Sequence, residues 1–411
     1  MTPEPTPEPT PEPEPVMVGR VRIFQSELLL AMKIVGPSVA LKASLPILRC
    51  VQFEGRVMDG YGELVVTGTN LATIVNRRLL AHISNNFKVA IEYAWFVHYG
   101  RIKRSKKELE RIVELIFYER ANGDPFVRID GTTVLGVRDD FPALPVAPSH
   151  ALTCRLPNEE EQSEAVIRKT LAAVGKEQKL QWDFSPGRFT AVGSNGYYAV
   201  ISHCVAPSSA PYATLHLAPS SANVLAKILD TVYAHDIPLA WVESDEADPQ
   251  GDGYIWVQWD RTTYGAHLAY TKRFEVEKYL GYKMTGSLVR FSRQAFLAAL
   301  KPVMLFAKAA GVIHIGLKLG PEEIRLRVES GEYGDAENAV DAFIVLDEGE
   351  GRTGFTISQL ITSINSFEED EIYMGVHPTQ YNVLWTNNSP TRAILRAVAL
   401  DEAFWRNWRN G

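Results

Sequence analysis

The residues most able to do chemistry sit in "RFTAVGSNGYYAVIS", residues 188–202, where Gly193, Ser194, Asn195 and Gly196 lie between two apolar runs. A glycine-rich turn can cradle a phosphate when it opens a helix and is followed by lysine and a hydroxyl. Here Tyr197, Tyr198, Ala199 and Val200 follow, and their β-branched and aromatic character continues as strand. Asn-Gly tolerates the positive φ of a hairpin, so the stretch reads as strand, turn, strand. Other constellations are equally bare. The nine histidines form no HxxxH or HExxH pair, and Cys50, Cys154 and Cys204 fit neither a disulfide framework nor a metal-ligand spacing. "ESDEADPQGDG" (243–253) is acidic enough for calcium, but Ala247 and Pro249 stand where ligands should fall, and it reads as a solvated loop. No GxSxG occurs. Neither catalysis nor a metal or cofactor is expected.

Binding chemistry is better represented. "RIKRSKK" (101–107) holds Arg101, Lys103, Arg104, Lys106 and Lys107. Further cations, Lys33, Arg168, Lys169, Lys227, Arg293, Lys301 and Lys308, fall on helix-like stretches throughout the chain. Any one of them can be a solvated helix face; together they make one electropositive side if the helices share a side. Phosphate contacts from lysine and arginine need no base reading, which suits sequence-independent DNA binding.

The elements that must position these residues are short strands mixed with a few helices, an α+β pattern. Apolar spacing predicts helices over 24–36, 163–175, 219–233, 292–311 and 357–367. Residues 92–104 read as a further helix, Ser105 and Glu108 as a capping box, and 111–119 as a strand. The pattern recurs in three units of roughly 115–135 residues, each with two helices among many strands. "LVVTGTNLATIV" in the first unit echoes "FTAVGSNGYYAV" in the second. The expected division is a Pro/Glu-rich leader over 1–17, units over 18–148, 149–284 and 285–400, and an aromatic and basic segment over 401–411.

Bulk properties bound the rest. The 411 residues are 46% hydrophobic and 22% charged with a formal charge of −7, ordinary for a globular chain. That charge argues against non-specific coating of nucleic acid but leaves room for a basic surface within an acidic whole. No apolar run is long enough to span a membrane, and no secretory pattern opens the chain, so a cytoplasmic protein with no membrane partner is expected.

"KASLPILRCVQFEG…GELVVTGTNLATIVNRRL" (42–79) resembles the opening of the bacterial sliding clamp, the DNA polymerase III β subunit. "DDFPALP" (139–145), "FTAVGSNGYYAV" and "FSRQAFLAALKPV" resemble later family segments, in the right order. The resemblance implies three repeated clamp-type domains per chain. Two chains would form a head-to-tail homodimer, a ring with helices lining the inside and sheets outside. It implies double-stranded DNA as a partner, with Lys42 standing where the family carries a DNA-contacting arginine and Lys33 in the first pore helix. It also implies a pocket for short peptide motifs from DNA polymerase and clamp-loader subunits. By position that pocket would use Leu180, Ser194, Gly196, Tyr197, Tyr198, Ala199, Leu280, Ile394, Arg396 and Val398. The chain departs from the family there. Tyr197-Tyr198-Ala199 replaces His-Arg-Leu, Glu275 replaces a proline after Phe274, and Arg396-Ala397-Val398-Ala399-Leu400 replaces Met-Pro-Met-Arg-Leu. A clamp-fold scaffold for repair, recombination or mobile-element enzymes is therefore the alternative to a replicative clamp. "DEAFWRNWRNG" (401–411) lies past the family pattern, and its aromatic and arginine residues fit either a segment packed on its own sheet or one folded over the pocket.

Overall fold

The structure, a computed structural model, describes residues 14–59, 61–102, 104–158, 162–174, 180–195, 197–232, 235–243, 253–269, 273–275, 286–346, 351–377, 381–406 and 408. Lys103, Gly196, Leu280, most of the acidic stretch 243–253 and the leader through residue 13 lie outside them.

Strands and helices alternate in one grammar, strand-helix-strand-strand-strand, used six times. The first unit is β1 (Val16–Phe24), α1 (Gln25–Val35), β2 (Cys50–Met58), β3 (Tyr61–Thr69) and β4 (Thr73–Ile83). The second is β5 (Phe87–Glu92), α2 (Ala94–Arg101) with the single turn α3 (Lys106–Leu109), β6 (Ile112–Glu119), β7 (Pro125–Ile129) and β8 (Thr132–Val137). The third is β9 (Leu152–Pro157), α4 (Gln162–Leu171), β10 (Leu180–Ser185), β11 (Arg188–Ser194) and β12 (Tyr198–Cys204). The fourth is β13 (Ala213–Leu217), α5 (Pro219–Leu229), β14 (Asp236–Val242), β15 (Tyr254–Trp259) and β16 (Thr262–His267). The fifth is β17 (Ser287–Ser292), α6 (Arg293–Ala309), β18 (His314–Leu319), β19 (Glu323–Ser330) and β20 (Gly334–Leu346). The sixth is β21 (Arg352–Thr356), α7 (Ile357–Asn365), β22 (Glu371–Val376), β23 (Tyr381–Trp385) and β24 (Arg392–Arg396), after which α8 (Glu402–Arg406) closes the described chain.

Local signals account for these elements. In α5, Pro219 occupies the first turn, where its missing N–H costs nothing, and Val224, Leu225, Ile228 and Leu229 turn inward while Lys227 stays exposed. Ser105 and Glu108 do form a reciprocal capping box, but it starts the separate turn α3, because the chain is already extended at Ile102.

The strands form two sheets of twelve. One runs β1-β6-β7-β8-β5-β2-β3-β4-β16-β15-β14-β9 and the other β13-β10-β11-β12-β24-β23-β22-β17-β20-β19-β18-β21. Each sheet crosses a seam between distant units. β4 pairs antiparallel with β16, and β12 pairs antiparallel with β24. At the first seam the nearly buried Arg77 donates to Asp260 at 2.9 Å and to the Thr262 hydroxyl at 3.0 Å. At the second, the Ser202 and Thr391 hydroxyls meet at 3.0 Å. Strand β12 is covered on both faces: Tyr198 and Val200 join the core of the last two units, and Ala199 and Ile201 pack with Val192 and Ile394. That is why "YYAVIS" is apolar at nearly every position instead of alternating.

In the GSNG stretch Gly193 and Ser194 end β11, and Asn195 follows it on the way to β12. Asn195 accepts at its Oδ1 from the Tyr197 and Tyr198 amides, each at 3.0 Å, and its own amide donates to the Tyr198 carbonyl at 3.1 Å. Asn70 repeats this between β3 and β4, accepting from the Thr73 amide at 2.8 Å and donating to the Thr73 carbonyl at 3.2 Å. The glycine two places before each asparagine has a different task. A Cβ on Gly193 would lie 1.8 Å from the Thr170 carbonyl oxygen of α4, and one on Gly68 would lie 2.7 Å from the Val35 carbonyl oxygen of α1. Glycine is present so that a helix end can rest on the strand. Gly193→Ala is expected to lower stability by about 1–3 kcal/mol through overpacking, read as a lower urea midpoint; an unchanged midpoint would mean that α4 is not seated there.

Candidate functional site

The second seam frames the candidate site. Antiparallel register places Tyr198 opposite Leu395, and the Arg396 amide donates to the Tyr197 carbonyl at 2.9 Å. Beyond β24 the chain crosses to β21, where the Val398 amide donates to the Gly354 carbonyl at 2.8 Å. The gap so framed is a cavity of ≈ 870 Å³ lined by Tyr197, Arg396 through Leu400, His314, Arg352, Thr356, Gln359, Glu402 and Trp405.

Of the residues proposed from sequence, Tyr197, Arg396 and Val398 line this cavity, and Tyr197 is 60% exposed. Leu180, Ala199 and Ile394 are buried and none lines the cavity: Ala199 and Ile394 pair across the seam, whereas Leu180 lies on β10 opposite Gly193 and Leu217. Tyr198 is buried too, its hydroxyl bonded to Thr362, and burial raises its pKa so that the phenol stays protonated. Ser194 is half-buried, its hydroxyl donating to the Tyr198 carbonyl at 3.2 Å. Sequence reasoning missed His314, Arg352, Thr356 and Gln359, which reach the cavity from β18, β21 and α7. The one available signal was Thr356 and Gln359 flanking the start of a predicted helix.

The cations occupy a separate layer. Helix α1 packs on α2 and α5, α5 on α4, and α6 on α7. The seven helices of the six units carry Lys33, Arg101, Lys106, Lys107, Arg168, Lys169, Lys227, Arg293, Lys301 and Lys308 against Glu27, Glu108 and Glu164. The whole chain has 42 Lys and Arg against 49 Asp and Glu, so the acidic excess lies outside these helices. Lys33, Lys42, Arg101, Lys227 and Lys308 are exposed. Two residues grouped with them have structural tasks. Lys169 is largely buried with its ammonium 3.4 Å from Glu368, and Arg104 lies 4.3 Å over the Tyr99 ring while donating to the Tyr99 and Ile102 carbonyls.

Burial pushes the Cys50 thiol up to about 12, helped by the nearby Glu92 carboxylate, and burial also raises Cys154. Both are held as thiols at neutral pH, the reverse of what a nucleophile needs. Iodoacetamide at pH 8 is expected to leave Cys50 and Cys154 unmodified in the native protein and to label them once it is unfolded in guanidinium, as read by peptide mass.

Repeated strand-helix-strand-strand-strand units, joined by last-strand pairing and fronted by a helix layer, define a three-domain clamp fold. Solved structures that match it include DNA polymerase sliding clamps. The DNA polymerase III β subunit of Thermotoga maritima matches with a TM-score of 0.77 at 17% identity, over 93% of this chain and 100% of that one. The DNA polymerase sliding clamp of Bacillus subtilis matches with 0.76 at 15% identity, and a ligand-bound one from Pseudomonas aeruginosa with 0.75 at 16%, both over 93% of this chain and 100% of theirs. No protein-family model matches the sequence. No curated protein sequence matches it either. No described helix is long and apolar enough to cross a membrane.

Proposed function

We propose that the chain is a DNA sliding clamp. Two copies close head to tail around duplex DNA, hold a DNA polymerase on its template, and take partner and clamp-loader peptides at the second seam. It catalyses no reaction of its own. The observation that carries this reading is the uneven charge: on a clamp fold, a chain of net charge −7 keeps ten cations and three acids on its helix layer. Exposed lysines on flexible stems give screened, sequence-independent contacts to phosphates, which attract a duplex without fixing its register. Closure of the ring, not tight binding, then keeps the protein on DNA.

The seams supply a rule for closure. The last strand of unit one pairs with that of unit four, and the last strand of unit three with that of unit six. Continued by three, unit five should meet unit two of the next chain, pairing β20 with the partner's β8. Among the described residues, β20 over 334–341 pairs only with β19, and β8 pairs with β7 and, at its end, with β5. Leu135 on β8 is exposed, as are Phe343, Val345 and Leu346 on β20 and Leu305 on α6 beside it. Such a heterologous contact closes only if the rotation returns to its start.

A second reading, a clamp-fold scaffold for repair, recombination or mobile-element enzymes, is favoured by the pocket lining, where Tyr197 stands in place of the family's histidine and Trp405 comes from a segment past the family pattern. Binding of polymerase-derived against repair-derived peptides separates the two.

Light-scattering mass is expected to give a dimer for the wild type and a monomer for Phe343→Asp, with the interface weakened by about 2–4 kcal/mol. Retention on nicked circular DNA should vanish on linearisation. A wild-type monomer that leaves circular and linear DNA equally would defeat the ring. Replacing Lys33, Lys227 and Lys308 by alanine should flatten the salt dependence of DNA affinity, by about 0.9 in log–log slope for each phosphate no longer neutralised.

A further inference from the structure

One face of the first sheet gathers arginine and aromatic side chains. Cross-strand pairing sets Arg20 beside Ile116, Ile116 beside Arg128, and Arg128 beside Thr133. The next row is Met17, Tyr118, Phe126 and Leu135. Val21, Leu115, Phe117, Val127, Ile129 and Val134 alternate with these residues and face the core, so both rows lie on the opposite face. There Tyr118 and Phe126 stack with ring centres 5.1 Å apart. The Arg128 guanidinium stands 5.0 Å from the Tyr118 ring centre and 5.8 Å from that of Phe126, and the Arg120 guanidinium stands 5.6 Å from that of Phe126.

Arg20 has a carboxylate 3.8 Å away on Glu114. Arg22, Arg120 and Arg128 are exposed and make no ion pair among the described residues. Aromatic rings already hold Arg120 and Arg128 in place, so their charge is displayed in a fixed position. Such a display suits carboxylates, and the chain carries them next door. Residues 2–15 read TPEPTPEPTPEPEP, with Glu4, Glu8, Glu12 and Glu14 and no cation. Val16 stands opposite Glu119 and Met17 opposite Tyr118, so this segment joins β1 at the end that flanks the Tyr118–Phe126 stack. Proline at every second position favours a polyproline rise of about 3.1 Å per residue, which puts Glu12 about 12 Å from Val16. Two strand spacings, about 10 Å, separate β1 from β7. The acidic segment is long enough to cross the arginines without leaving the face.

We propose that residues 1–15 dock across this face, with their glutamates on Arg120 and Arg128 and their prolines against Tyr118. A proline-rich segment is extended before it docks and so gives up little conformational freedom. Its attachment at Val16 makes every contact intramolecular, which raises the effective concentration of each carboxylate. A single exposed ion pair is weak; several on one tether, with prolyl rings on an aromatic surface, add up. Docked, the segment neutralises a face that would otherwise attract a polyanion. This contact stands apart from the DNA and peptide sites proposed above.

Arginine footprinting of the full chain with phenylglyoxal, read by peptide mass, tests this. At about 25 mM salt, Arg120 and Arg128 are expected to react about threefold more slowly in the wild type than in a variant carrying Glu4→Gln, Glu8→Gln, Glu12→Gln and Glu14→Gln. All four substitutions precede β1, and Arg101, exposed on α2, should react alike in both proteins. At about 0.5 M salt the difference at Arg120 and Arg128 should vanish. Equal rates for the two proteins at low salt would overturn the docking. So would protection of Arg120 and Arg128 in the wild type by a thymidine oligonucleotide, which would assign the face to nucleic acid.

Discussion

Backbone pairing across the two seams is the constraint on which the rest of the molecule depends. A last strand left unpaired would expose a row of amides and carbonyls, and four of the six units resolve this by lending their last strand to a unit far along the chain. Pairing β4 to β16 and β12 to β24 joins unit one to unit four and unit three to unit six. Strand β12, covered on both sides at the second seam, is accordingly apolar at most of its positions. The buried Arg77 beside Asp260, and the hydroxyl pair of Ser202 and Thr391, satisfy the polar groups that this burial traps.

The same pairing separates two chemistries. The helices carry ten cations against three acids, while the pocket opens where β12 meets β24 and the chain turns towards β21. Net charge says little about such a protein, because attraction for a polyanion depends on the local field and not on the sum. Where a cation is drawn into structure it leaves that field: Lys169 serves Glu368, and Arg104 serves the end of α2.

Much of this was legible in the sequence. The helices are amphipathic and announced themselves by apolar spacing, and the TGTN and GSNG echoes marked equivalent turns because an asparagine cap and a helix-bearing glycine are local requirements. The halving of each domain was not legible, since the second half of each pair shares only its order of elements with the first. At the pocket, Tyr197, Arg396 and Val398 were found through resemblance, whereas His314 and Arg352 carry no motif. They reach the cavity only because β18 and β21 lie next to the last crossing of the chain. Ile394 stands at the seam opposite Ala199 and Leu180 lies away from it on β10, and neither lines the cavity, because burial is a property of three-dimensional packing that spacing does not encode.

The distance in sequence between the two sides of the second seam has a consequence in time. Tyr197 and Arg396 are about 200 residues apart in the chain. At a synthesis rate of about 5–20 residues per second, roughly 10–40 s separate the emergence of one side from that of the other. Within each unit the contacts are local hairpins, which form early, but β12 must wait with an open, apolar edge for β24 to be made. Until then the nascent chain presents a strand apolar on both faces. That interval is when it is most exposed to mispairing and most in need of a chaperone.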